Sequence, residues 1–162
     1  MGANSALVAR ACEGANSALR DPIGDDSPVE LTDAVEFVRH NDRTVLATRR
    51  KNGRPQLSAV NAGVVEGSVC ISSRAPLAKV RNIRRDPVVS VLILTEQFYG
   101  RWVQIDGTAE IVDQPEALDL LVDVYRSIRG EHPDWDDYRA AMIRDERVVI
   151  RITPERAVRG GW

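Results

Sequence analysis

Apolar and polar residues alternate in several segments beyond residue 42, and a period of two residues is typical of β-strands. The first pair of such segments is RTVLATRR (43–50) and RPQLSAVNAGVV (54–65). The residues KNG (51–53) join them, and an Asn-Gly pair between two strand-like segments predicts a β-hairpin. A second turn, EG (66–67), leads into the next predicted strand, SVCISS (68–73).

Three further strands follow from the same pattern. VVSVLILT (88–95) is a continuous apolar run, which predicts a strand buried on both faces. RWVQIDGTAEIVD (101–113) alternates and contains Gly107, which predicts a bulge or bend there. RVVIRIT (147–153) is the last predicted strand. Six strands joined mostly by short turns favour an antiparallel barrel, and the absence of GxGxxG argues against a Rossmann fold.

Helical spacing of apolar residues predicts helices at three places. LTDAVEFVRHND (31–42) forms one, with Thr32 or Asp33 as its capping residue. A longer helix before the last strand ends at Gly130, because glycine favours the C-terminal cap. A short helix follows at about 134–144.

The first thirty residues differ from the rest. The hexapeptide GANSAL occurs twice, at 2–7 and 14–19, and is followed by a turn-rich segment. We therefore predict a leader at residues 1–30, outside the core, and one domain at residues 31–162.

Composition excludes several classes of protein. A formal net charge of −2 argues against a general nucleic-acid binder, and no apolar run approaches the ~20 residues that span a bilayer. Cys12 and Cys70 do not form a disulfide framework, and the N-terminus lacks the pattern of a secretion signal. We expect a cytoplasmic protein without a metal site, because His40 and His132 have no metal-binding spacing.

The segment SSRAPLAKVRNIRRDP (72–87) carries five positive side chains and one negative one. It predicts a helix with Lys79 near its start, where free N–H groups attract anions, and with arginines toward its end, where cations are favoured anyway. Three interpretations remain open. The charges form a solvated face, or Ser72, Ser73 and Lys79 form a phosphate cradle, or the segment binds nucleic acid without aromatic residues to stack on bases.

Four segments together resemble a known superfamily: ATRRKNGRPQLSAV, SSRAPLAKVRNIRRDPVVSVLI, IDGTAEIVD and GEHPDWDDYRAAMIRDERVVIRI. They are similar to the flavin-binding split-barrel proteins, which include the pyridoxamine 5′-phosphate oxidases, over about residues 33–158. EHPDWDDYR resembles the actinobacterial branch that uses the deazaflavin coenzyme F420. The resemblance implies a mainly β fold with inserted helices, a six-stranded antiparallel split β-barrel.

The resemblance also implies a homodimer with the cofactor in a groove between subunits. Leu77 stands where close relatives often have a second basic residue. The implied cofactor-binding residues are those along the ring, Gln56, Ser58, Ala59, Val60 and Asn61; those beside the cofactor chain, Ser72 and Ser73; the phosphate-binding Lys79 with its neighbours Asn82 and Arg84; and the partner-subunit wall, Arg101, Trp102 and Val103.

The implied activity is hydride transfer from reduced F420 to a small organic acceptor, such as an enone, a quinone or a tetrapyrrole. An FMN enzyme resembling pyridoxamine phosphate oxidase is an alternative, as is a carrier of F420 or flavin without turnover. The sequence shows no Ser-His-Asp arrangement and no carboxylate pair, so we expect the cofactor to supply the chemistry and neither histidine to be an essential acid.

Overall fold

The structure, a computed structural model, describes residues 26–161. The GANSAL repeats and Cys12 lie outside the described residues. Eight strands and four helices make up this part of the chain: β1 Ser27–Pro28, α1 Leu31–His40, β2 Arg43–Arg49, β3 Pro55–Asn61, β4 Gly63–Val65, β5 Ser68–Arg74, α2 Ala78–Arg85, β6 Val88–Leu94, β7 Trp102–Val112, α3 Ala117–Arg129, α4 Trp135–Arg144 and β8 Arg147–Gly160.

All strand pairs are antiparallel, in the order β3-β2-β6-β7-β8-β5-β4, with β1 added along β8. The predicted mainly β split barrel is confirmed. The predicted number of six strands is wrong for two reasons. At Ala62 the backbone N–H donates to the Asp42 carbonyl (2.9 Å), so the predicted strand 54–65 divides into β3 and β4. β1 has two residues, too few to show a period.

The predicted hairpin between β2 and β3 is confirmed, and its register fixes which side chains lie opposite one another. Thr48 pairs with Gln56, and Leu46 pairs with Ser58. Gly53 in the turn has a φ of 81°, which glycine adopts without strain.

Two apolar cores hold the sheet to its helices. The larger one joins α1 and α2 to the inner face of the barrel through residues such as Val38, Val80 and Ile150. The smaller one lies between α3 and the other face of β5 and β8, and it contains Leu121 and Cys70. Within the larger core, α2 packs against β2 and β7.

The outer face of β3, β2 and β6 belongs to neither core. Within one chain, the prediction that strand 88–95 is buried on both faces is therefore wrong, because Val88 is 55% exposed while its neighbour Val89 is 2% exposed. Leu57 on β3 is 67% exposed. The apolar side chains that share this face are Val45, Ala47, Leu57, Ala59, Val88, Leu92 and Leu94.

Caps at the helix ends follow the sequence only in part. Asp134 caps α4, because its carboxylate accepts from the N–H groups of Asp136 and Asp137 (3.1 and 2.9 Å), and Gly130 ends α3 with a φ of 80°. The prediction of Thr32 or Asp33 as the cap of α1 is wrong. Glu30 takes that place and makes no capping hydrogen bond through its side chain.

The predicted bulge at Gly107 is confirmed, since the register between β7 and β8 shifts between Asp106 and Gly107. A Cβ on Gly107 would lie 2.2 Å from the Thr153 carbonyl oxygen. The two strands therefore approach here more closely than any side chain permits.

We predict that Gly107→Ala lowers the free energy of unfolding by about 2–3 kcal/mol, because the strands must separate locally to admit a methyl group. Gly67→Ala is the control: it meets nothing within 4 Å, so its φ of 77° alone should cost about 1 kcal/mol. Urea unfolding of both variants measures the difference. Equal losses would contradict the close approach.

Candidate functional site

The side chains of β3 divide between the two faces of the sheet. Gln56, Ser58 and Val60 are half-buried, and Val60 packs on the larger core, so these three face the inside. The other predicted ring contacts on this strand, Ala59 and Asn61, are exposed on the outside. Asn61 also lies at the far end of the strand, where its amide donates to the Asp42 carboxylate (2.8 Å).

A polar network around the buried Asn82 joins β2 and β3 to α2. The Asn82 amide nitrogen donates to Thr48 Oγ1 and to Gln56 Oε1, both at 3.0 Å. Asn82 Oδ1 accepts from the guanidinium of Arg85 at 3.2 Å, and this guanidinium also donates to the Arg49 carbonyl. Two predicted site residues, Gln56 and Asn82, are thus in direct contact.

Sequence reasoning missed Thr48 and Arg85 in this network. Arg85 was expected to stay at the helix end as one of several dipole-matched cations. It is exposed there, but its guanidinium donates to Asn82, one helical turn before it. Two signals were available: the hairpin register places Thr48 opposite Gln56, and the spacing of three residues places Arg85 on the same helix face as Asn82.

Ser72 and Ser73 lie on opposite faces of β5, as strand geometry requires. Ser73 faces the larger core and is 2% exposed, and its Oγ has no hydrogen-bond partner among the described residues. Ser72 is half-buried on the face of Cys70, toward the smaller core. A buried hydroxyl without a hydrogen-bond partner lowers the stability of the fold. Ser73 Oγ is therefore the serine hydroxyl that can still donate a hydrogen bond to a ligand.

Lys79 lies in the first turn of α2 and is half-buried. No carboxylate lies within ion-pair distance of it in the described part of the chain. Burial lowers the pKa of its ammonium, and the charge of Arg147 lowers it further. An anion beside such a lysine stabilises its charged form, as is expected of a phosphate-binding residue.

Arg147 at the start of β8 was not singled out from the sequence. Its Nε is buried and has no hydrogen-bond partner among residues 26–161. It lines a cavity of about 490 Å³ beside the loop that leads into α2. The position of Arg147 beside this loop could not be predicted from the sequence, because β8 meets β5 only in the folded sheet, where Arg147 pairs with Arg74.

Arg84, in contrast to Lys79, already has an ion-pair partner. Its guanidinium donates to the Asp113 carboxylate at 2.7 Å, and this hydrogen bond raises the pKa of the arginine. It is therefore less available to a ligand than its place beside Asn82 suggested.

The three predicted wall residues do not meet the others within one chain. Val103 is 1% exposed in the larger core, whereas Trp102 lies on the outer face, packed over Gly160. Arg101 lines a cavity of about 640 Å³ together with Phe37 and His40 of α1. That cavity is not next to Lys79 and shares no lining residue with the cavity at Arg147.

The described residues offer no cluster for acid, base or nucleophilic chemistry. His40 pairs with Glu36 (3.1 Å) on an exposed helix face, and His132 packs among aromatic rings such as Tyr125 and Trp135. Burial raises the pKa of the Cys70 thiol to about 11, so it stays protonated at neutral pH. Among residues 26–161 there is also no group of metal-ligating side chains, and no helix there is long and apolar enough to cross a membrane.

Comparisons with known proteins identify the family and the fold. Residues 31–158 match the family model described as pyridoxamine 5′-phosphate oxidase. A conserved hypothetical protein from Mycobacterium tuberculosis is 30% identical, with a TM-score of 0.69 and coverage of 86% of this chain and 89% of the other.

Two more distant structures share the fold. One is titled F420 reductase, with 22% identity, a TM-score of 0.59 and coverage of 75% of this chain and 93% of the other. The second is a putative pyridoxamine 5′-phosphate oxidase from Listeria innocua, with 20% identity, a TM-score of 0.57 and coverage of 78% and 94%.

We predict that inorganic phosphate raises the pKa of Lys79. Below its pKa the ammonium is charged and poorly solvated in the free protein, and an added anion stabilises that charged form. The chain has two lysines, so ¹³C NMR of the methylated side chains resolves Lys79 with the exposed Lys51 as internal control. An unchanged Lys79 titration, or an equal shift at Lys51, would contradict an anion site.

Proposed function

Because the chain belongs to the pyridoxamine 5′-phosphate oxidase family, we propose that it is an F420-dependent reductase, in which the reduced deazaflavin passes a hydride to an organic acceptor such as an enone, a quinone or a tetrapyrrole. The likeness to a structure titled F420 reductase supports this choice at the level of the fold. The EHPDWDDYR segment of α4 and its preceding loop supports the deazaflavin branch at the level of sequence.

One observation carries the proposal: four polar groups on β3, β5 and α2 have no partner among the described residues. They are Gln56 Nε2 and Ser58 Oγ on β3, Ser73 Oγ on β5, and the Lys79 ammonium on α2. Donors on β3 suit the carbonyl-bearing edge of a flavin-like ring, and the lysine with Ser73 suits a phosphate. The residues present therefore fit such a cofactor.

The proposed task of the chain is to bind and orient. Lys79 and Arg147 supply positive charge at the start of α2, where the free N–H groups of the helix also favour an anion. Gln56 and Ser58 hold the ring edge along β3. Because residues 26–161 place no general acid beside these groups, the proposed source of the proton that completes the product is solvent. The rate enhancement then comes from holding the acceptor in place.

We also propose that two copies pair through the outer face of β3, β2 and β6. This face bears the apolar side chains that neither core covers, including Leu57 and Val88. Pairing removes them from water, and it brings Trp102 of β7, on the same outer face, to the subunit interface. We propose that Arg101 and Trp102 then lie near the neighbouring subunit's site, as the family pattern implies, whereas Val103 stays in the larger core of its own subunit.

The test uses the purified full chain incubated with F420 or with FMN. We expect F420 to stay bound through gel filtration and reduced F420 to be oxidised when one of a panel of enones, quinones or tetrapyrroles is added. Lys79→Ala should weaken F420 binding by roughly 1–3 kcal/mol, the scale of a charge-assisted hydrogen bond. Lys51→Ala, in the exposed β2–β3 turn, should not.

Other outcomes identify the alternatives. Retention of FMN with loss of F420 would indicate a flavin enzyme. Retention of F420 with no oxidation by any acceptor would indicate a carrier. Equal effects of the two lysine variants would mean that the positive charges act only as a diffuse surface.

For the dimer, we expect sedimentation at micromolar concentration to give about twice the chain mass of 17.9 kDa. Leu57→Arg should raise the dissociation constant at least about tenfold, because burying a leucine contributes about 1.5–3 kcal/mol and a charge reverses that gain. Ile143→Arg is the matched control, since Ile143 is 54% exposed on α4, away from this face. A monomeric wild-type chain would contradict the proposed interface.

A further inference from the structure

The buried amide of Asn82 connects a cation on one side to a second amide on the other. Asn82 is 6% exposed. Its Oδ1 accepts from Arg85 at 3.2 Å, and its Nδ2 donates to Gln56 Oε1 at 3.0 Å. The guanidinium of Arg85 is itself held by the Arg49 carbonyl.

Donor and acceptor chemistry fixes the direction of this chain of hydrogen bonds. A guanidinium can only donate, so the amide oxygen of Asn82 must face Arg85. The NH₂ group of Asn82 then faces Thr48 and Gln56, and Gln56 must meet it with its own oxygen. One cation therefore sets the orientation of two successive amides.

The consequence appears at Gln56. Its Oε1 is used inside the protein, whereas its Nε2 has no partner among the described residues and is not among their buried unpaired atoms. A free glutamine can turn either end of its amide toward a ligand. This one presents NH₂ only.

We propose that Arg85 and Asn82 are positioning residues that make Gln56 an obligate hydrogen-bond donor, so that the ligand edge beside β3 must offer a carbonyl oxygen or another acceptor. This inference rests on the proposed function for the placement of the ligand. The pyrimidine-like edge of flavin and deazaflavin rings carries carbonyl groups beside an N–H. The donor at Gln56 selects the carbonyl and rejects the N–H, which fixes the register of the ring along the strand.

Asn82→Asp tests the direction of the relay with little change of shape. The new carboxylate still accepts from Arg85, but it can only accept from Gln56 as well, so the Gln56 amide rotates and presents its oxygen to the ligand. Binding of F420 and of FMN should fall about tenfold or more, because a donor–acceptor pair becomes two acceptors. Asn41→Asp makes the same change at the end of α1, where Asn41 donates to the Phe37 carbonyl, and should leave both affinities unchanged.

Riboflavin separates the relay from simple charge repulsion. It carries the flavin ring without a phosphate, so the new carboxylate does not repel it. A comparable loss of riboflavin binding in Asn82→Asp supports the relay. A loss confined to the phosphorylated ligands would overturn it.

Arg85 gives a second, graded test. Arg85→Leu removes the cation that fixes both amides, and it should weaken the binding of each ring. Arg85→Lys keeps a group that can only donate, and it should recover most of that loss. Failure of the lysine variant to bind better than the leucine variant would mean that Arg85 serves packing alone.

Side-chain amide NMR of the free protein supplies a readout that a merely structural role would not produce. In the wild-type chain we expect the NH₂ of Asn82 to be protected from exchange with water and that of Gln56 to exchange quickly. In Asn82→Asp the Gln56 NH₂ should become protected. A protected Gln56 NH₂ in the wild-type chain would overturn the inference.

The two proposals fail in different ways. If F420 does not bind but FMN shows the expected pattern across the variants, the relay stands and the F420 function does not. If F420 binds and is turned over but Asn82→Asp binds it like the wild type, the function stands and the relay does not. If neither ring binds, Gln56 has no ring to position and both are overturned.

Discussion

Eleven residue pairs join β7 to β8, and this ladder connects β6, β2 and β3 on one side of the sheet with β5 and β4 on the other. The shift of register at Asp106 and Gly107, where the backbones nearly touch, lets the strands bend and increases their twist. This close contact therefore favours the curl of the sheet on which β3 and β5 face the same core.

Because side chains alternate along each strand, one face of the sheet forms the candidate site and the other forms the proposed interface. On β3 the inward residues Gln56 and Ser58 carry hydrogen-bonding groups without full partners, while the outward residues Leu57 and Ala59 form part of an uncovered apolar face. A one-residue slip of register would exchange the two sets. The Asn-Gly hairpin turn, which sets this register, therefore influences both the candidate site and the proposed interface.

Much of the fold could be predicted because its signals are local. The period of two residues, the hairpin turn, Gly107 and Gly130 each report on the conformation of their own neighbourhood. The division of strand 54–65 at Ala62 and the pairing of β1 with β8 could not be predicted, because both depend on hydrogen bonds to segments distant in sequence. The candidate site shows the same limit: Lys79 follows from helix geometry, whereas Arg147 reaches its surroundings only through the β5–β8 pairing.

The hydrogen bond from Arg85 to Asn82 shows why the number of charges along a helix is a poor guide to function. Arg84 and Arg85 are neighbours in sequence and both lie in the last turn of α2, where the helix dipole favours any cation. Arg84 points to an exposed carboxylate and is neutralised there, whereas Arg85 turns toward a buried amide and imposes its donor character on it. An exposed ion pair contributes little to stability. A cation that donates to a buried amide, in contrast, excludes the flipped orientation of that amide. Arg85 thus influences which ligand groups the site can bind, although it does not have to contact the ligand.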